Sequence, residues 1–184
     1  MLDVRPLELE GVVEIRPLRF RDDRGFFSEV WNGSAMEQAG LKLQFVQDNY
    51  THSTARGVLR GLHFQANPQA QDKLVWVSRG SIFDVAVDVR RSSATFGKWV
   101  GRILSASQWN QLLIPKGFAH GYVTLEDDTE VQYKVTAFYH PELERAIRFD
   151  DPDIGISWPI SHDEVQLSAR DRHAPLLSAV DTGF

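Results

Sequence analysis

The chain has 184 residues, 42% of them hydrophobic and 24% charged, so it is long enough to bury one core without staples, and a single domain over residues 1–184 is expected. A net charge of -5 and a pI near 5.7 exclude a broad nucleic-acid footprint and leave room only for a local basic pocket for a small anion. Cysteine is absent, which removes disulfides, thiolate metal sites and thiol catalysis and suits a reducing compartment. The opening residues Met1-Leu2-Asp3-Val4-Arg5 hold no apolar signal core, and no run approaches the roughly 18 apolar residues of a membrane span, so a soluble cytoplasmic protein is expected. Runs of strand-forming residues then follow in order at 11–15, 25–31, 44–50, 58–65 and 73–78. They continue at 81–89, 98–104, 111–114, 118–124 and 130–139. The clearest is 81–89, where Phe83, Val85, Val87 and Val89 share one face opposite Asp84 and Asp88, the pattern of a half-buried strand. Residues 34–39 and, more weakly, 163–167 carry a helical signal, and the less periodic residues 165–184 are expected to wrap the outside. Many short strands separated by turns such as Asp22-Asp23-Arg24-Gly25 and Pro115-Lys116-Gly117 predict an all-β sandwich or barrel with a few short peripheral helices.

Two segments, Gly61-Leu62-His63-Phe64-Gln65 and Ile114-Pro115-Lys116-Gly117-Phe118-Ala119-His120, resemble the halves of a cupin metal site. A metal-binding cupin offers His-x-His and a nearby Glu from the first half and another His from the second. Here Gln65 stands where the second His belongs, and no Glu follows nearby. His63, His120 and a neutral amide fall short of the three or more N/O ligands that hold a divalent ion, so no metal is expected and His63 is free to act as a base.

The segments RDDRGFFSEVWN, FVQDNYTHS, GVLRGLHFQ, KLVWVSRGSIFDVAVDVR, FGKWVG, IPKGFAHGY, VQYKVTAFYHPELERAIRFDDPDIGISWP and LSARD occur in this order and cover nearly the whole chain. Together they resemble the dTDP-4-dehydrorhamnose 3,5-epimerase family. That resemblance implies a double-stranded β-helix jelly roll, a homodimer and no metal or organic cofactor. It also implies a dTDP-activated 4-keto-6-deoxyhexose as substrate, inverted at carbons 3 and 5 in dTDP-L-rhamnose biosynthesis.

Epimerising a carbon beside a ketone means removing a proton, stabilising an enolate and returning a proton to the other face. Histidine suits the base because its ordinary pKa of about 6.5 lies near working pH, and His63 is the candidate. The family pairs its base with a carboxylate near the C-terminus, which falls on Asp171 in Leu167-Ser168-Ala169-Arg170-Asp171; Asp84, on the non-core side of its strand, ranks second. Lys73 shares strand parity with Val75 and Val77, and the family places its enolate-stabilising lysine here. Tyr133 alternates with Val131 and Val135, by itself the pattern of a buried aromatic, yet the family uses a tyrosine at this motif as the acid opposite the histidine.

A nucleoside diphosphate is an anion that arginine recognises well, which points to Arg24 and Arg60. The resemblance adds Glu29, Gln47 and Asn49 as nucleotide contacts, Phe27 and Tyr139 as rings against thymine and sugar, His120 as a sugar contact, and Glu144 and Arg170 as further contacts. Arg60 and His63 lie three residues apart and would face opposite sides of a regular strand, so either Gly61 marks a bulge or Arg60 arrives from a partner subunit. Arg170 stands where a lysine commonly precedes the terminal aspartate, and Tyr50-Thr51-His52 replaces a more usual His-Ser pairing. Rival readings are a metal-dependent cupin, which fails on ligands, a non-catalytic sugar-nucleotide-binding jelly roll, and an enzyme that epimerises one carbon only.

Overall fold

Val85 and Val87 on one side of their strand and Ile82 and Ala86 on the other are all closed to solvent, so that strand must be covered on both faces. In the computed structural model, which describes residues 2–184, two antiparallel sheets and a wrapping C-terminal segment provide the cover. The first sheet has the order β1-β2-β10-β7-β12-β5 and contains β1 (Asp3–Pro6), β2 (Val13–Arg16), β5 (Gln47–Ser53), β7 (Lys73–Arg79), β10 (Gln111–Ile114) and β12 (Thr129–Val135). The second, β13-β6-β11-β8-β9, contains β6 (Leu59–Gln65), β8 (Ser81–Asp88), β9 (Trp99–Ser105), β11 (Phe118–Thr124) and β13 (Glu144–Ala146). A separate hairpin pairs β3 (Phe20–Asp22) with β4 (Gly25–Phe27). This is the expected all-β jelly roll, with two short helices, α1 (Gly33–Gln38) and α2 (Ala169–Arg172), at its periphery.

Between the sheets Val75, Val77, Ile82, Ala86, Leu112, Tyr122 and Val131 form the central core. The outer face of the six-stranded sheet packs under residues 30–45 through Trp31, Met36 and Phe45, and that of the five-stranded sheet under residues 147–184 through Ile147, Ile154, Leu177 and Val180. Burial of each such aliphatic side chain contributes about 1.5–3 kcal/mol. The half-buried reading of residues 81–89 is therefore corrected: Phe83, Val85 and Val87 lie under the C-terminal segment, while Asp84 faces the interior and is fully buried. The tail does wrap the exterior, but it also inserts core residues.

The strand signal at 25–31 stops at Phe27, and that at 130–139 stops at Val135, where the chain bends at Thr136 and Ala137. The helical signal at 163–167 is a single 3-10 turn, His162–Glu164.

The junction of β6 with β11 decides where the site forms. His120 pairs with His63 and Tyr122 with Arg60, so Gly61 and Leu62 together oppose Gly121 alone. This is a bulge, and it turns Arg60 and His63 to the same face. Gly61 has φ 127, and a Cβ there would lie 2.5 Å from the Gly121 Cα and 2.8 Å from the His120 carbonyl oxygen. Only glycine fits.

Candidate active site

Between the sheets, at one end, lies an open cavity of about 470 Å³. His63 and Arg60 reach it from β6, Lys73 from β7, His120 and Tyr122 from β11, Tyr133 from β12 and Thr51 from β5; Ser168, Arg170 and Asp171 close it from the C-terminal segment. That segment is laid down by a parallel bridge in which the Gln166 N–H donates to the Gly57 carbonyl (2.8 Å) and the Leu59 N–H to the Gln166 carbonyl (3.0 Å). Ser168 then caps α2 by accepting from the Asp171 N–H (3.1 Å), which sets the Asp171 carboxylate against β6.

His63 Nε2 and Asp171 Oδ1 are 2.6 Å apart, with the imidazole 26% exposed and the carboxylate 5%. Burial alone pushes the Asp171 carboxyl up, but the hydrogen bond and charge of His63, Ser168 and the Gly61 N–H reverse this and hold it below the usual carboxylate range. An ionised carboxylate only accepts, so the proton of neutral His63 sits on Nε2 and the lone pair on Nδ1.

A second pair has the same form: His120 Nε2 lies 2.6 Å from Oδ1 of the fully buried Asp84, whose Oδ2 has no hydrogen-bond partner. The Lys73 ammonium is drawn down to about 8 by burial, against which the charges of Glu144 and Asp84 act. Burial also raises the Tyr133 phenol, with Arg60 opposing and Glu144 adding to the shift, so the hydroxyl keeps its proton at neutral pH. The arrangement combines an oriented imidazole base, a cation of unusually low proton affinity and a protonated phenol around one open space, which is what an enolate requires.

At the mouth the Glu144 carboxylate accepts from the Tyr139 hydroxyl (2.6 Å) and from Arg170 (2.6 Å). Gln47 donates to Asn49 Oδ1 (2.8 Å) and accepts from the Tyr139 N–H (3.3 Å). Arg60 reaches the Ser53 hydroxyl at 3.5 Å and leaves its guanidinium largely exposed to the cavity. Among the described residues no cluster of three or more His, Asp or Glu side chains is placed to hold a metal ion.

The sequence model of the dTDP-4-dehydrorhamnose 3,5-epimerase family matches residues 6–179. The chain belongs to the dTDP-4-dehydrorhamnose 3,5-epimerase family. It is 50% identical over 95% of its length to the epimerase of that name from Pseudomonas aeruginosa, covering 96% of that protein. The crystal structure of the Legionella pneumophila 3,5-epimerase in complex with dTDP-4-keto-L-rhamnose superposes with a TM-score of 0.93 at 44% identity, over 98% of this chain and 95% of that one. A 3'-monoepimerase from Streptomyces bikiniensis, in complex with dTDP-quinovose, shares the fold at a TM-score of 0.88 and 35% identity, over 95% of this chain and 87% of that one.

Within this family member, His63, Lys73, Tyr133, Asp171, Arg60, His120 and Arg170 share the cavity. Glu144, Tyr139 and Gln47 form its connected rim, with Asn49 hydrogen-bonded to Gln47. Arg24, Phe27 and Glu29 are not brought there. Arg24 is 90% exposed in the β3–β4 turn and pairs with Asp22, and Glu29 accepts from Asn32. Tyr122 and Thr51 are among the cavity residues that escaped the sequence reading. Tyr122, pushed up to about 12 by burial against the pull of the Thr51 hydrogen bond, shares a 2.7 Å hydroxyl contact with Thr51. Its signal was present in the alternation of His120 with Tyr122; the pairing of Asp84 with His120 had no sequence signal at all.

Proposed function

We propose that this chain inverts carbons 3 and 5 of dTDP-4-dehydro-6-deoxy-D-glucose to give dTDP-4-dehydro-L-rhamnose. The observation that carries the proposal is the convergence of the His63–Asp171 pair, Lys73 and Tyr133 on one cavity in a member of this family. His63 Nδ1 takes the proton from the carbon beside the ketone, the C–H electron pair becomes the enolate, and its oxygen is stabilised by the Lys73 ammonium. Asp171 holds the imidazole and stabilises the imidazolium. The Tyr133 hydroxyl gives a proton to the opposite face of the enolate; afterwards the phenolate regains a proton and the imidazolium releases one, so the enzyme returns to its starting state. Repeating this at the second carbon completes the reaction with protein groups alone. Arg60, Arg170 and His120 face the diphosphate and sugar.

Identity of 50% to a double epimerase against 35% to a monoepimerase favours inversion at both carbons. A coupled assay with an NADPH-dependent 4-ketoreductase, with the stereochemistry of the product read by NMR, tests this. Stoichiometric NADPH oxidation and dTDP-L-rhamnose as product support it, and a product inverted at carbon 3 alone establishes the monoepimerase reading.

The position of the β3–β4 hairpin supports a homodimer. Phe26 seats the hairpin on Trp109 (centroids 5.0 Å), while Phe20 and Phe27, stacked at 6.3 Å, project outward at 58% and 66% exposure. Paired exposed rings beside Arg24 and Glu29 suit delivery to the cavity of a second copy. Sedimentation at micromolar concentration distinguishes dimer from monomer. Mixing Arg24→Ala and His63→Asn proteins tests whether sites are shared, since only shared sites regain activity. No helix among the described residues is long and apolar enough to cross a membrane, and a cytoplasmic site of action suits the cysteine-free chain.

A further inference from the structure

Gln65 occupies the position at which a metal-binding cupin carries its second histidine, yet its side chain is fully engaged elsewhere. It is the last residue of β6, 4% exposed, and points to the same side as His63. Its Nε2 donates to the Gln69 carbonyl and to the Phe138 carbonyl (3.0 Å), and its Oε1 accepts from the His140 N–H (2.8 Å). The Phe138 carbonyl and the His140 N–H bracket Tyr139. One side-chain amide thus clasps the backbone on both sides of Tyr139, as a neighbouring strand would, just beyond the point where β12 ends.

Two further side chains touch the same stretch: the Gln71 amide donates to the Ala137 carbonyl (2.8 Å), and Gln47 Oε1 accepts from the Tyr139 N–H (3.3 Å). Phe138 and Tyr139 are 63% and 52% exposed, so packing does not fix them. With its backbone clasped, Tyr139 presents its hydroxyl to Glu144, which also receives Arg170, the neighbour of Asp171. Only an amide of this length supplies both N–H donors and an acceptor: glutamate has no donor and would set a carboxylate against two carbonyl oxygens, and histidine has at most one N–H to give on each side of a rigid ring.

We propose that Gln65 is a positioning residue for nucleotide-sugar binding, converting a metal-ligand position of the fold into the clasp that sets Tyr139 and the Glu144–Arg170 pair at the cavity mouth. The inference rests on the sugar-nucleotide reading above. It separates binding from chemistry, because His63, Lys73 and Tyr133 are held within strands and Asp171 by its own cap, none of them through Gln65.

The test compares Gln65→Met and Gln65→Glu with the parent by calorimetry with dTDP, by steady-state kinetics and by amide hydrogen exchange. The Kd for dTDP and the KM are expected to rise about tenfold, with kcat within about threefold, and exchange to quicken at residues 136–140 but not around Asp171. In a Tyr139→Ala background, adding Gln65→Met should change the dTDP Kd by less than about twofold, because the ring that the clasp positions is already gone. Unchanged exchange at 136–140 and unchanged Kd in both variants overturn the inference, and so does an equal loss with and without Tyr139, which marks a general structural role. If the parent protein itself binds no dTDP while exchange responds as expected, the clasp stands and the sugar-nucleotide reading is what fails.

Discussion

His63 Nε2 lies 2.6 Å from Asp171 Oδ1, although 108 residues separate them in the chain. The contact exists because a bulge turns His63 inward and a capped helical turn sets Asp171 over the same strand. An asparagine at 171 keeps the shape but offers an N–H as readily as an oxygen, and so favours the tautomer with the proton on the wrong nitrogen. Asp171→Asn is therefore expected to slow deuterium wash-in from solvent by about 100-fold or more, with the dTDP Kd little changed. NMR exchange rates alongside calorimetry check both halves.

The Lys73 pKa of about 8 has a direct consequence for the pH profile. The ammonium is present below that value and is lost above it, so kcat/KM should fall as pH rises through about 8, whereas an ordinary lysine would hold its charge to beyond 10. Arginine remains cationic throughout. Lys73→Arg, although slower, should therefore lack this alkaline limb when kcat/KM is followed from pH 6 to 10. A limb unchanged in the variant would assign the titration to another group.

Tyr133→Phe removes the proposed acid with little change in ring volume. His63 can still take and return a proton on its own face, so solvent exchange should persist while inversion, above all at carbon 5, falls by about 100-fold or more. Exchange followed by NMR, with product stereochemistry trapped by the reductase, separates the two events. Doubly inverted product at the parent rate would reduce Tyr133 to a core aromatic.

At Gly61 a methyl group would meet the backbone of β11, at a φ that side chains avoid. Neither strand can yield without displacing both histidines. Gly61→Ala is expected to cost about 2 kcal/mol or more in urea unfolding and to depress turnover beyond what the stability loss explains. Retention of full activity with native stability would show that the bulge tolerates a side chain.

Most of the β architecture was legible in the sequence because period two survives wherever a strand has two unlike faces. Residues 111–114 and 118–124 match strands end to end. The short pieces β1, β3 and β13 were not legible: Asp3–Pro6, Phe20–Asp22 and Glu144–Ala146 are dominated by charged residues and lack the apolar run that marks the equally short Gln111–Ile114. Asp84 was misplaced because alternation tells which residues share a face but not which face looks inward when both are covered. Arg60 and His63 presented a contradiction under regular strand geometry, and the glycine between them was the clue that the geometry is irregular. Residue chemistry together with the family resemblance singled out His63 as the candidate base and Asp171 as its partner; the pairing of Asp84 with His120, set by contacts far apart in sequence, needed the fold.

His63 is the proposed base for both carbons. Incubating the parent protein and His63→Asn with dTDP-4-keto-6-deoxyglucose in deuterated water, and counting deuterons at carbons 3 and 5 by NMR, tests this most directly. The parent should acquire deuterium at both carbons, and the variant at neither above the uncatalysed rate, while still binding dTDP with near-parent affinity. Near-parent deuterium uptake at either carbon in the variant would contradict the assignment.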